Sequence, residues 1–167
     1  MTRFLPDEPF PAYAYTAGRD PHPVRDPRGH SQGVRAPAPP APDPDRWRDS
    51  HDYLRGIDLF NAGYYWEAHE SWEGLWNACG RTGPIATLLQ ALIALAAAGL
   101  KVRAGNAKGA ATHARRAQRM LSDAMETAPR LLGLDLADLA ATASRLSPAP
   151  PPAAEGQAVP PLVLRPR

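Results

Sequence analysis

The sequence predicts an all-α fold, a compact bundle of about five helices, and three observations carry that expectation. Of the 20 prolines, 11 fall in residues 1–45 and 7 in residues 148–167, leaving only Pro84 and Pro129 between them. The proline-poor stretch repeats its apolar residues at intervals of three and four, the period of a helix with one buried face. Glycines at Gly63, Gly83 and Gly105 divide that stretch into helix-sized pieces. The expected domain organisation is a disordered, proline-rich N-terminal tail over 1–45, one helical domain over 46–147, and a second disordered tail over 148–167. A domain of about 100 residues has room for a single hydrophobic core, which excludes multidomain enzymes.

Asp49 and Asp52 resemble a helix start, and Tyr53, Ile57 and Phe60 then recur at i, i+4 and i+7, predicting a first helix over 49–61. Gly63 turns the chain into a second helix from Tyr64 to Asn77, so the first two helices form an antiparallel hairpin. Pro84 suits the first turn of a third helix, and from Leu88 to Leu100 its only polar side chain is Gln90. A helix apolar on every face belongs at the centre of a bundle or in a bilayer. From Pro84 to Leu100 it would be only about 25 Å long against a hydrocarbon core of about 30 Å, so it is taken as the central helix. After Gly105 and Asn106 a fourth helix runs from Ala107 to Ala124, with Ala110, Ala114, Ala117 and Leu121 on one side and Lys108, Arg115 and Arg119 on the other. Pro129 closes it. Asp135 then reads as the N-cap of a last helix carrying Leu136, Leu139 and Ala143. Two related hairpins, with Gly63 and Gly105 at equivalent turns, plus a C-terminal helix and no strands complete the expected fold. Leu162, Val163 and Leu164 are apolar enough to fold back onto the core.

Charge excludes little and demands nothing, since 19 basic and 17 acidic residues give a net +2. Arg115, Arg116, Arg119 and Lys108 form a basic stripe without interleaved aromatics, which argues against a nucleic-acid partner. The single Cys79 excludes an internal disulfide, and the first residues contain no apolar stretch of signal-peptide length, so a cytoplasmic protein is expected. A protein partner or a second copy of the chain stays open; a membrane partner is not expected.

Chemistry concentrates in Gly63–Trp76, G-Y-Y-W-E-A-H-E-S-W-E-G-L-W. His69 and Glu73 stand at i, i+4, the spacing at which two ligands on one helix reach one metal ion. Glu67, Glu70 and Glu73 follow at i, i+3 and i+6, and such like-charge spacing disfavours an isolated helix unless something compensates. A divalent cation of the zinc type would do so, held by His69, Glu73 and Glu67 with His51 or His113 as further ligands and Glu70 as general base. Arg55 or Arg103, or the helix dipole acting on Glu67, would also do so. In the other readings the cluster is a structural polar network, with His69 bonded to Glu73 or Gln90 and Trp66, Trp72 and Trp76 packed around it, or part of a protein-interaction module resembling tetratricopeptide hairpins. Cys79 lacks a nearby histidine in sequence and is not taken as a nucleophile.

Leu59–Trp76, Leu89–Ala98 and Gly105–Ala110 together resemble the bacterial and archaeal family called domain of unknown function 309. The shared phrases have the form L-F-N-x-G-x-Y-W-E-A-H-E-x-W-E-x-L-W, L-Q-x-L-I-x-L-A-A-A and G-N-x-x-G-A, and the resemblance covers roughly residues 50–146. It implies a helical bundle and, because members are often labelled predicted metal-dependent hydrolases, a site at Glu67, His69, Glu70 and Glu73 with Gln90 beside it. Ala94 departs from relatives that carry a second glutamine in the central helix.

Overall fold

The computed structural model describes residues 3–34, 37–146 and 164–166. After a single 3-10 turn, Trp47–Asp49, five helices follow: α1 (His51–Asn61), α2 (Tyr65–Ala78), α3 (Gly83–Arg103), α4 (Ala107–Met125) and α5 (Leu136–Leu146). The helix start expected at Asp49 is two residues later, because Asp49 closes the 3-10 turn and Ser50 is extended before α1. The expected absence of strands is corrected by two short ones: β1 (Arg130–Leu131) pairs antiparallel with β2 (Leu134–Asp135) between α4 and α5. Asp135 ends β2 and caps α5 as well, its Oδ1 accepting from Ala137 N–H at 3.0 Å and Asp138 N–H at 3.2 Å.

Each helix packs on its neighbour in sequence, with α3 between α2 and α4, α1 on the far side of α2 and α5 on the far side of α4. α3 is the most apolar helix, and Leu88, Leu89, Leu92 and Leu95 on it are fully buried. Its neighbours divide more sharply, and on α4 it is Ala110, Ala114, Ala117 and Leu121 that vanish from solvent, as the sequence period requires. The two hairpin turns share one geometry. Gly63 and Gly105 both have positive φ, and the next N–H in each, of Tyr64 and Asn106, donates to the carbonyl five residues back, Leu59 at 2.8 Å and Lys101 at 2.8 Å. This is the glycine-closed helix end that satisfies carbonyls left over in the last turn.

Glycine also sets how closely helices approach. A Cβ on Gly56 would stand 2.2 Å from Trp72 Nε1, so the indole of α2 occupies the space that a side chain on α1 would need. Trp72 is fully buried there, and Gly99 of α3 receives the Tyr65 ring in the same way.

The N-terminal segment requires the largest correction. Residues 3–34 and 37–45 form neither helix nor strand, as their prolines dictate, but they lie along the bundle as a strap of turns instead of a disordered tail. Buried Asp58 of α1 accepts from Phe4 N–H at 2.9 Å and Leu5 N–H at 2.8 Å. Phe10 stacks on Tyr64 with ring centroids 5.0 Å apart, and Pro39 lies over Gly74 of α2. Buried acceptors on the helices thus satisfy strap N–H groups that no secondary structure pairs. The C-terminal tail expected over 148–167, with Leu162 and Val163, lies outside the described residues except for 164–166. There Leu164 is buried, its N–H donating to Asn61 Oδ1 at 2.8 Å and its carbonyl accepting from Asn61 Nδ2 at 2.9 Å.

Candidate metal centre

The chemistry-rich helix α2 has no single functional face, because successive residues point about 100° apart. Tyr65, Ala68, Trp72 and Leu75 enter the core. Glu67 and Trp66 lie under the strap. His69, Glu73 and Trp76 line a pocket that α2 shares with α3 and α4.

At that pocket His69 Nδ1 lies 3.4 Å from Glu70 Oε1 and 3.8 Å from Glu73 Oε2. Among the described residues Nδ1 is buried without a hydrogen-bond partner, and ligand atoms of His69, Glu70 and Glu73 all fall within 4.8 Å of one another. Two donors bound tetrahedrally to zinc at about 2.1 Å stand about 3.4 Å apart, so the spacing and the mixed nitrogen and oxygen donors fit a divalent cation. The pocket, about 150 Å³, is completed by Gln90, Ile93, Ala94 and Ala97 of α3 and by His113 and Arg116 of α4. Ala94 adds to its apolar lining, where a second glutamine would have offered a polar group.

The structure sorts the sequence candidates. His69, Glu70 and Glu73 come together, with Gln90, Trp76 and His113 at the adjoining pocket. Glu67 does not join them: it lies two residues, about 200° of helix, from His69 and is 6% exposed. Its Oε1 accepts from Tyr15 N–H at 3.0 Å and meets His30 Nε2 at 3.0 Å, so its compensation comes from the strap and not from a shared cation. Trp66 packs among Tyr15, His22 and His30, and Trp72 is core. His51 is paired with Glu8 of the strap and is no further ligand. Neither arginine offered as compensation serves the cluster, since Arg55 meets Glu8 Oε2 at 3.4 Å and Arg103 donates to the Gly63 carbonyl. Burial raises the Cys79 thiol above its ordinary pKa, which keeps it protonated and agrees with its exclusion as a nucleophile.

His113 is the position that sequence placed least well. Burial, then the charges of Lys101, Arg116 and His69, hold its imidazole below the ordinary value of 6.5. Its place on the wheel of α4, one turn from both buried Ala110 and buried Ala117, marks it as a boundary residue, and only the packing of α3 between α2 and α4 brings it to the same pocket as His69. Arg116, one turn further along, reads in sequence as part of a solvated stripe.

Residues 53–113 match the model of a family described as a domain of unknown function, DUF309. No curated protein shows a matching sequence. The matched residues run from the first turn of α1, through the cluster on α2 and the whole of α3, to His113 at the pocket, so it is this segment that is similar to the DUF309 family.

Proposed function

We propose that the pocket between α2, α3 and α4 is a divalent transition-metal site serving hydrolysis, with His69, Glu70 and Glu73 as its ligands. The observation that carries this reading is the buried Nδ1 of His69, which has no hydrogen-bond partner and faces two carboxylates at 3.4 and 3.8 Å. A buried polar atom without a partner costs about 1–3 kcal/mol, and a cation shared with both carboxylates removes that cost. When bound, the metal would supply Lewis acidity toward a polarised substrate bond. Glu73 and His69 grip from successive turns of one rigid helix. Glu70 and Glu73 are exposed to the same degree, 46% and 44%, so either carboxylate can meet water; Glu70, adjacent in sequence to His69, is the one assigned as proton acceptor. Trp76 and the apolar side chains of Ile93, Ala94 and Ala97 line one side of the pocket, where charge interactions are stronger than in open water.

Metal content tests the proposal directly. The full chain, purified without chelator or reconstituted with zinc or manganese, is expected to hold about one equivalent by elemental analysis. His69→Ala should abolish retention, and Glu70→Gln should weaken it less. A folded wild-type protein that holds no metal after reconstitution would make the cluster an imidazole–carboxylate network that fixes α2. His69→Ala would then lower the melting temperature equally with and without added metal.

A further inference from the structure

The same pocket has a second wall, and its chemistry is opposite to the first. On the α2 side stand His69 and Glu73; on the α4 side stand His113 and Arg116, with Gln90 of α3 between them. Among the hydrogen bonds and ion pairs of the described residues, none engages the side chains of Gln90, His113 or Arg116. Each is a hydrogen-bonding group at a cavity edge without a partner among the described residues. We infer that this wall binds a small oxyanion, a carboxylate or a phosphate, which would be the acidic group of the substrate at the proposed metal centre; the inference rests on that reading of His69, Glu70 and Glu73.

Charge and size both select this ligand class. Without a cation, Arg116 at the pocket wall stands against Glu73 at the pocket and Glu70 beside it. A divalent ion at the cluster therefore leaves an excess of about +1 around a cavity that an anion can neutralise. The guanidinium of Arg116 presents a planar fork whose spacing matches two oxygens of a carboxylate or phosphate. His113 and Gln90 each offer one further donor, and the Ile93, Ala94 and Ala97 floor has room only for an apolar remainder. A cavity of about 150 Å³ holds a molecule of benzene size, about six heavy atoms, which excludes nucleotides and peptides from the pocket itself.

The test is calorimetric titration of the full-length protein with acetate and, separately, with inorganic phosphate at low ionic strength, the metal content of each sample being measured in parallel. Saturable binding of one or both anions by the metal-loaded protein is expected, and the tighter of the two identifies the acidic group. Arg116→Met should weaken it at least about tenfold, and Arg116→Lys, which keeps the charge but loses the fork, should restore it only in part. Arg119→Met, on the same exposed stripe but outside the pocket, should leave it unchanged. Equal weakening by Arg119→Met would overturn the inference by reducing it to general attraction along α4. Metal-loaded protein that binds neither anion up to about 10 mM would overturn it while leaving the metal site intact. Protein that takes up no metal would overturn both.

Discussion

His113 stands where burial and neighbouring charge act on one proton. Its folded pKa lies below the unfolded value of about 6.5, so the folded chain binds fewer protons there than the unfolded chain does. Stability from this group is fully present above pH 6.5 and is lost as pH falls through the folded value. In metal-free protein, His113→Gln should therefore flatten the loss of stability on acidification below pH 6.5, measured by urea midpoints at a series of pH values. The same scale shows what sequence conveyed of the site. His69 and Glu73 were legible as a pair because ligands at i, i+4 on one helix need no tertiary information to be placed together, whereas Glu70, expected only as a general base, takes the place beside them that was expected of Glu67. Glu67 misled because it shares their chemistry and spacing but not their side of the helix, and its actual partner, His30, is separated from it by 37 residues of sequence without periodicity.

Between elements, the controlling quantity is distance of approach. Gly56 lets the Trp72 indole sit where a methyl group would fall 2.2 Å from Nε1, whereas a methyl on Gly74 would lie 3.3 Å from the edge of Pro39. Gly56→Ala should destabilise the protein by about 1–3 kcal/mol through overpacking. Gly74→Ala, in a helix where alanine is the better former, should have little effect or stabilise slightly. Urea midpoints of the two variants, side by side, check the contrast. Helix limits came within about two residues from apolar period and turn glycines, because both are local signals, except at the end of α3, which the count from Pro84 to Leu100 stopped short and which continues to Arg103. The β1–β2 ladder gave no such signal. It consists of two residues on each side, too short for alternation to show, and Leu132 between them is held by its carbonyl accepting from Tyr53 Oη at 2.8 Å across 79 residues.

For the molecule as a whole, the strap decides how much of the chain behaves as one body. Its fastenings are carboxylates of α1 and α2 receiving backbone N–H groups, and hydrogen bonds to a charged acceptor contribute about 1.5–3 kcal/mol each. Asp58→Ala removes two of them and leaves the N–H groups of Phe4 and Leu5 without that acceptor. The variant should lose about 2–4 kcal/mol and admit protease within residues 3–34 while the helices stay intact, seen as a lowered urea midpoint with cleavage mapped by mass spectrometry. Proline density spoke correctly against helix and strand in this segment, but it carries no information on whether irregular chain is held by the rest of the protein. That depends on single buried acceptors such as Asp58 and Glu67, which in the sequence look like any other acidic residue of a helix.

Asp58 and Asn61 lie on the same helix, three residues and about 4.5 Å of axial rise apart, and they hold Phe4 and Leu5 on one hand and Leu164 on the other. Phe4 and Leu164 are thereby fastened about one turn apart on α1. Joining residue 165 to residue 4 through a short glycine-serine linker and opening the chain instead at Gly80, in the turn between α2 and α3, gives a circular permutant in which every helix is preserved and the route from one fastening to the other is covalent. Such a permutant should fold with the far-ultraviolet circular dichroism of the parent. It should also tolerate Asp58→Ala better than the parent does, because the linker keeps Phe4 beside α1 when the carboxylate no longer holds it.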